Sequence, residues 1–351
     1  MQAVAKRSAL AASLCLLIAC AGAPPPAAVV GFAFDGAGNT LAGELRLPAR
    51  RAPHPAVVFV HGSGAASRHL PYLEPIRDEF LRRGFATLIW SKPGVDESTG
   101  DYLAQSMADR AQEVAAAIAR LAERADIDRD RIGLWGISEA GWVMPLVPAR
   151  AEVAFVIAVG APAQSGEEQD QYGADRELAR LGIGASERAA ARAQRRELYE
   201  LFRECADYES FVPRYRDWLA ALERLGWYPL VESRLGELPF HASALSVDRR
   251  KFEFAQRNLS ATPDRTLIAA PRLESLRMPL LAIYGADDAF VDPRLGADAY
   301  RELASRAGYP DVRVLLFEGA DHLIHKPDRE GRSSLAPGYL EAMGSWLAAL
   351  R

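Results

Sequence analysis

Apolar residues recur along this chain in two rhythms, short continuous blocks and longer amphipathic stretches, and their alternation predicts most of the architecture. Ala56–Val60, Phe85–Trp90, Arg131–Trp135 and Val153–Val159 are compact and apolar, as expected of strands covered on both faces in a parallel sheet. Pro71–Arg83 carries Leu73, Ile76, Phe80 and Leu81 at helical spacing and stops at Gly84, and Met107–Ala125 is a second amphipathic helix. A third helix is expected over Glu139–Val147, kinked where Pro145 removes the bond to the Gly141 carbonyl. Ahead of these, Val29–Phe34 and Thr40–Leu47 are β-prone runs joined by the turn-forming Asp35–Asn39, which predicts a hairpin. The alternation resumes with a strand at Leu280–Tyr284, a helix around Arg294–Arg306, a strand at Val312–Phe317 and a last helix over Pro337–Leu350. The predicted class is α/β, a mainly parallel sheet with an N-terminal hairpin and helices on both faces.

From Ala163 to Arg272 the pattern changes. The segment is dominated by charged helical stretches (Asp175–Arg180, Glu187–Tyr208, Glu209–Leu225), with the aromatics Tyr199, Phe202, Tyr208, Phe211, Tyr215, Trp218, Trp227, Tyr228, Phe240, Phe252 and Phe254 and no convincing strand. This predicts a helical cap insertion whose aromatic residues form a small core of its own rather than a ligand cage. The expected organisation is a signal peptide over 1–19, a tether over 20–28, a core domain over 29–162 and 273–351, and the cap over 163–272.

Composition narrows the function. A hydrophobic share of 49% and a charged share of 25% are globular values. The net charge of -4 and the acids that accompany the arginines exclude a nucleic-acid surface, and no Cys/His cluster has metal-ligand spacing, so no metal is expected. At the N-terminus, Lys6 and Arg7 precede the apolar run Ala9–Ala19, shorter than the ~20 residues that span a bilayer. Its end, Leu17-Ile18-Ala19-Cys20, resembles the bacterial lipobox, which implies lipidation of Cys20 and a membrane anchor with the catalytic domain outside the cytoplasm. Ordinary cleavage after Ala21-Gly22-Ala23 is the alternative, disfavoured by Pro24. Loss of Cys15 and acylation of Cys20 would leave Cys205, expected in a buried helix, with no disulfide partner.

The candidate chemistry centres on Gly136-Ile137-Ser138-Glu139-Ala140-Gly141, which follows a strand and precedes a helix. It reads as a nucleophile elbow that projects the serine above the sheet edge, with Ala140 where the pattern has its second glycine. A serine hydroxyl needs a base to take its proton and a carboxylate to orient that base. After the strand Leu280–Tyr284 come Asp287, Asp288 and Asp292, and after Val312–Phe317 comes His322, with His325 three residues on. The order is serine, acid, histidine. His54, His61 and His69 precede the serine and His241 lies inside the insertion. The early strand Ala56–Val60 runs into His61-Gly62-Ser63-Gly64.

Together these motifs resemble an α/β-hydrolase of the bacterial serine esterase type, close in pattern to dienelactone-hydrolase-like and acyl-thioesterase-related members. In that family the acid lies in Gly-x-x-Asp-x-x-Val, similar to Gly285 through Val291, which implies Asp288 over its competitors Asp287 and Asp292. Gly-x-x-His matches Gly319–His322 and implies His322 as base. The resemblance assigns the oxyanion-binding N–H groups to Glu139 and to Ser63 or Gly64, with the Glu139 carboxylate expected at the surface and His61 expected to order its loop. Ser91–Gly100 is similar to the family loop Asp-Lys-Arg-Gly-x-Gly-x-Ser-Thr-Gly, departing at Pro93 and Asp96. What this implies is two-step acyl transfer on a small-molecule acyl substrate without a cofactor, a carboxylic ester (EC 3.1.1) being the default. Peptidase and acyl-thioesterase activities are the enzymatic alternatives, and a lipid-anchored binding protein on an inactive hydrolase fold is the alternative of another kind.

Overall fold

The computed structural model describes residues 28–350 apart from 307, 310 and 329, so the expected signal peptide, Cys20 and the tether up to residue 27 lie outside the described residues. The chain opens with strands β1 (Ala28–Gly36) and β2 (Asn39–Leu47), an antiparallel hairpin in full register. Ala37 (φ 48°) and Gly38 (φ 81°) both take positive φ, the two-residue turn whose twist matches that of the strands it joins.

Next come β3 (His54–Val60), helix α1 (Glu74–Arg83), β4 (Ala86–Trp90), α2 (Met107–Ala122), β5 (Ile127–Ile137), α3 (Ala140–Val143) and β6 (Val156–Val159). Helices α4 (Gly166–Arg180), α5 (Ala185–Glu204), α6 (Tyr208–Glu223), α7 (Tyr228–Glu232), α8 (Pro239–Ala244) and α9 (Arg249–Asn258) then intervene before β7 (Leu280–Gly285). The chain closes with α10 (Pro293–Ser305), β8 (Val312–Phe317), a small ribbon of β9 (His325–Pro327) and β10 (Ser333–Leu335), and α11 (Tyr339–Ala349). The eight-stranded sheet has the order β1-β2-β4-β3-β5-β6-β7-β8. Its hairpin and the β2–β4 pair are antiparallel and every later pair is parallel.

Successive strand residues feed opposite faces, so the sheet has two cores. Val58, Leu134 and Ala282 face α2 and α10, where Val114, Ile118 and Tyr300 cover them. Val57, Trp135 and Ile283 face α1 and α11, packing with Phe80, Met343 and Trp346. This explains the continuous apolar strands, each side chain being worth roughly 1.5–3 kcal/mol once fully buried.

Three expectations need correction. The helix after the elbow is one turn, α3, followed by a 3-10 turn over Met144–Leu146. Pro145 therefore starts a tighter turn, where its missing N–H costs nothing, instead of kinking a long helix. Cys205 is buried immediately past the end of α5 rather than within it. Phe240 leaves the aromatic core of the insertion: Phe202, Phe211, Tyr215, Trp218 and Phe252 cluster together, whereas Phe240 packs over Gly173 and against Phe290. The inserted helices are tied to the sheet domain by Asn258, which accepts from the Met107 N–H at 3.0 Å, and by Tyr172, which donates to the Asp288 carbonyl at 2.9 Å. Among the described residues no helix is long and apolar enough to cross a membrane.

Candidate active site

The chain leaves β3 for β4 on one side and returns for β5 on the other, and crevices beyond the strand ends at such a reversal are where open α/β sheets bind ligands. Val60 pairs in register with Gly136, so the His61–Gly64 loop and Ser138 emerge side by side. Ser138 holds φ at 56°, a left-handed conformation that a side-chain-bearing residue keeps only where its surroundings enforce it. Here they do: its N–H donates to the Val159 carbonyl at 3.0 Å and its carbonyl accepts the Gly141 N–H at 2.8 Å.

Asp288, in the loop after β7, is fully buried. One carboxylate oxygen accepts the N–H groups of Phe290 (2.7 Å) and Val291 (3.0 Å), and the other lies 2.7 Å from His322 Nδ1. Because a carboxylate only accepts, the proton sits on Nδ1 and Nε2 is left with a free lone pair. The His322 ring lies against Gly160, directly after β6, where a Cβ would stand 3.0 Å from the imidazole. A side chain there would push the ring away from the strand that holds Ser138. The competing acids are elsewhere: Asp287 is exposed, and Asp292 caps α10, accepting from Arg294 and Leu295 at 3.0 and 3.1 Å. His325 lies in the β9 ribbon.

Ser138 opens into a cleft of about 240 Å³ walled by Ser63, Glu139, Trp142, Phe240 and Phe290. Among the described residues nothing accepts the backbone N–H of Ser63 or of Glu139, so both donors are available to a ligand. Gly64, at φ 80°, turns the loop behind Ser63 and is not part of the cleft wall.

Beneath the elbow lies a buried group of charges that was not expected. The Glu139 side chain does not face solvent; it is 6% exposed and pairs with Lys92 Nζ at 3.0 Å and with the Arg110 guanidinium. A carboxylate one residue from the nucleophile is pulled inward because two cations already lie there. Lys92 also donates to the Gly62 carbonyl at 2.5 Å, and burial pushes its pKa well below the usual lysine value, with Arg110 adding to the effect. Burial likewise lowers Arg110 to about 10 and raises Glu113, which accepts from Gln105 at 2.5 Å, to about 7. His61 donates from Nε2 to the Trp90 carbonyl at 2.5 Å, as expected of a loop-ordering residue, and burial holds its pKa near 4 so that it stays neutral. In the loop similar to Asp-Lys-Arg-Gly, Ser91 stands at the aspartate position and hydrogen-bonds the carboxylate of Asp96, which also accepts from Ser67 at 2.6 Å. Lys92 was legible as part of a family-like loop, but nothing in its sequence context signalled burial.

The model of the alpha/beta hydrolase family matches residues 57–331. The chain belongs to this family. Among solved structures, it is similar to the Pyrococcus furiosus esterase Pf2001, at 16% identity over 92% of this chain and 89% of that one, with a TM-score of 0.52. It is also similar to the Pseudomonas aeruginosa protein PA2218, at 17% identity over 92% and 94% of the two chains and a TM-score of 0.55. A 2,6-dihydroxy-pseudo-oxynicotine hydrolase aligns at 17% identity over 93% of this chain and 68% of that one, with a TM-score of 0.50. Identities this low carry the fold alone. No curated protein matches the chain.

Proposed function

We propose that this hydrolase is a serine esterase that cleaves a carboxylic ester through an acyl-enzyme formed on Ser138. The observation that carries the reading is the 2.7 Å contact between His322 Nδ1 and the buried Asp288, taken together with the elbow conformation of the Ser138 backbone. With Nδ1–H committed to Asp288, Nε2 accepts the Ser138 proton as Oγ attacks the ester carbonyl, and Asp288 stabilises the imidazolium. The N–H groups of Glu139 and Ser63 then meet the oxyanion, each such donor being worth about 3 kcal/mol of barrier. His322 passes its proton to the departing alkoxide, and water, activated by the same imidazole, clears the acyl-enzyme. The ester is preferred over peptide and thioester because the Pyrococcus furiosus relative of the same fold is an esterase.

A fluorophosphonate probe should label the wild type and fail to label Ser138→Ala and His322→Ala. Intact labelling of Ser138→Ala removes the assignment. Parallel rates on p-nitrophenyl esters, aminoacyl anilides and acyl-CoA then separate the three substrate classes. We further propose that Cys20 is lipidated and anchors the enzyme to the cell envelope, as the lipobox-like Leu17-Ile18-Ala19-Cys20 suggests. Cys20→Ser should move the protein from the membrane to the soluble fraction, and unchanged fractionation refutes the anchor.

A further inference from the structure

A further cavity adjoins the catalytic cleft across its aromatic wall. This cavity of about 370 Å³ shares Pro239, Phe240 and Phe290 with the cleft and continues to Arg176, Arg180 and Ala289. The Phe290 ring stacks on His322 at a centroid distance of 5.2 Å and meets Phe240 at 5.6 Å. It thus stands between the imidazole and the outer chamber, and at 42% exposed it offers an apolar face to whatever lies in either cavity.

Arg176 and Arg180 share the chamber with Glu177 and Glu237, whose carboxylates are hydrogen-bonded elsewhere. Glu177 uses both carboxylate oxygens on the N–H groups of Phe240 (2.9 Å) and His241 (3.1 Å). Glu237 is held by both arms of Arg234 at 2.7 and 2.6 Å. Arg180 donates only to the Glu237 backbone carbonyl, at 2.7 Å. Arg176, among the described residues, has no acceptor within hydrogen-bonding or ion-pair distance, in a chain where most arginines near an acid are paired. Arg176 therefore faces the chamber with no carboxylate paired to it among the described residues, Arg180 beside it is shared with the Glu237 carboxylate, and a planar anion is the ligand that suits a guanidinium.

The position of the chamber says which half of the substrate reaches it. In ester cleavage His322 hands its proton to the leaving oxygen, so the alcohol portion lies on the imidazole side of the scissile carbonyl. Beyond the imidazole come Phe290 and then the arginines. Resting on the serine-esterase reading, we propose that the preferred substrate is an ester whose alcohol portion carries a carboxylate, with a flat or short apolar spacer lying along Phe240 and Phe290 and the carboxylate meeting Arg176 and Arg180.

The test compares 4-butyryloxybenzoate with its neutral isostere 4-butyryloxybenzamide, on wild type, Arg176→Gln and Ser138→Ala. Arg176 is exposed, so the effect is that of a solvent-accessible ion pair: kcat/KM for the carboxylate should exceed that for the amide by roughly two- to fivefold at low salt. Arg176→Gln should bring the two esters to parity, and salt at about 0.5 M should erode the wild-type preference because the Debye length shrinks. Equal rates in the wild type, or a preference that survives Arg176→Gln, overturns the subsite alone. If neither ester shows turnover that depends on Ser138, the esterase reading fails and the subsite with it.

Discussion

Four lysines occur in the chain, and the one at position 92 spends its charge inside the molecule, bridging the Gly62 carbonyl and the Glu139 carboxylate. Those contacts grip both sides of the proposed oxyanion site, since Gly62 precedes Ser63 and Glu139 carries the other N–H. Lys92→Met removes both bonds and leaves Glu139 to Arg110 alone. We expect kcat on a small p-nitrophenyl ester to fall by about ten- to a hundredfold, as for a misplaced oxyanion donor, with KM changing far less. An unaltered kcat in a folded variant would mean that the lysine merely fills space. At this scale Ser138, Asp288 and His322 were legible because each sits at a strand end where its residue type has a chemical reason to be. The group Lys92, Arg110, Glu113 and Glu139 was not. A charged residue in a sequence is ordinarily solvated, and only the approach of the β4 loop, α2 and the elbow creates the interior that desolvates these four.

At the scale of elements, the elbow is a packing solution as much as a catalytic one. A Cβ on Gly136 would stand 2.6 Å from the Ala140 methyl and 2.7 Å from Met144 Sδ, so the methyl at the position where the pattern has its second glycine occupies space that Gly136 leaves empty. Gly136→Ala should therefore destabilise by about 1–3 kcal/mol through overpacking. Adding Ala140→Gly should recover part of that loss. Urea denaturation of the single and double variants gives the coupling directly, and additive effects would mean that the two positions do not compete for space. The same short-range crowding accounts for what the hydrophobic pattern missed. Strands and the hairpin were readable because burial on both faces leaves a two-residue or continuous signature. The one-turn length of α3 and the departure of Phe240 from the inserted core depend on neighbours distant in sequence, Phe290 and Gly173 among them, and leave no periodic trace.

Across the whole molecule, buried titratable groups should shape stability against pH. Burial depresses the folded-state pKa of His61 to about 4, and burial with Arg195 nearby depresses that of His241 to about 3. In the unfolded chain an ordinary histidine titrates near 6.5. Between those values the unfolded state binds the extra protons, so stability rises with pH across this window and is lost as pH falls from about 6.5 toward 4. The two histidines can contribute roughly 3–5 kcal/mol each over their full ranges. Glu113 works in the opposite sense. Its folded pKa of about 7 lies above the usual carboxylate range, so the folded state holds the proton longer and stability declines as pH rises from about 4.5 to 7. As pH falls from 6 to 4 the loss from two histidines exceeds the opposing gain from one carboxylate, so unfolding free energy measured in urea should fall across that interval. His241→Phe keeps a ring against Trp227 but cannot be protonated; whatever its absolute stability, its acid limb should be shallower than that of the wild type. Glu113→Gln should gain stability relative to wild type at pH 8 and not at pH 5. An acid limb of unchanged slope in His241→Phe would place the buried proton sink elsewhere in the molecule.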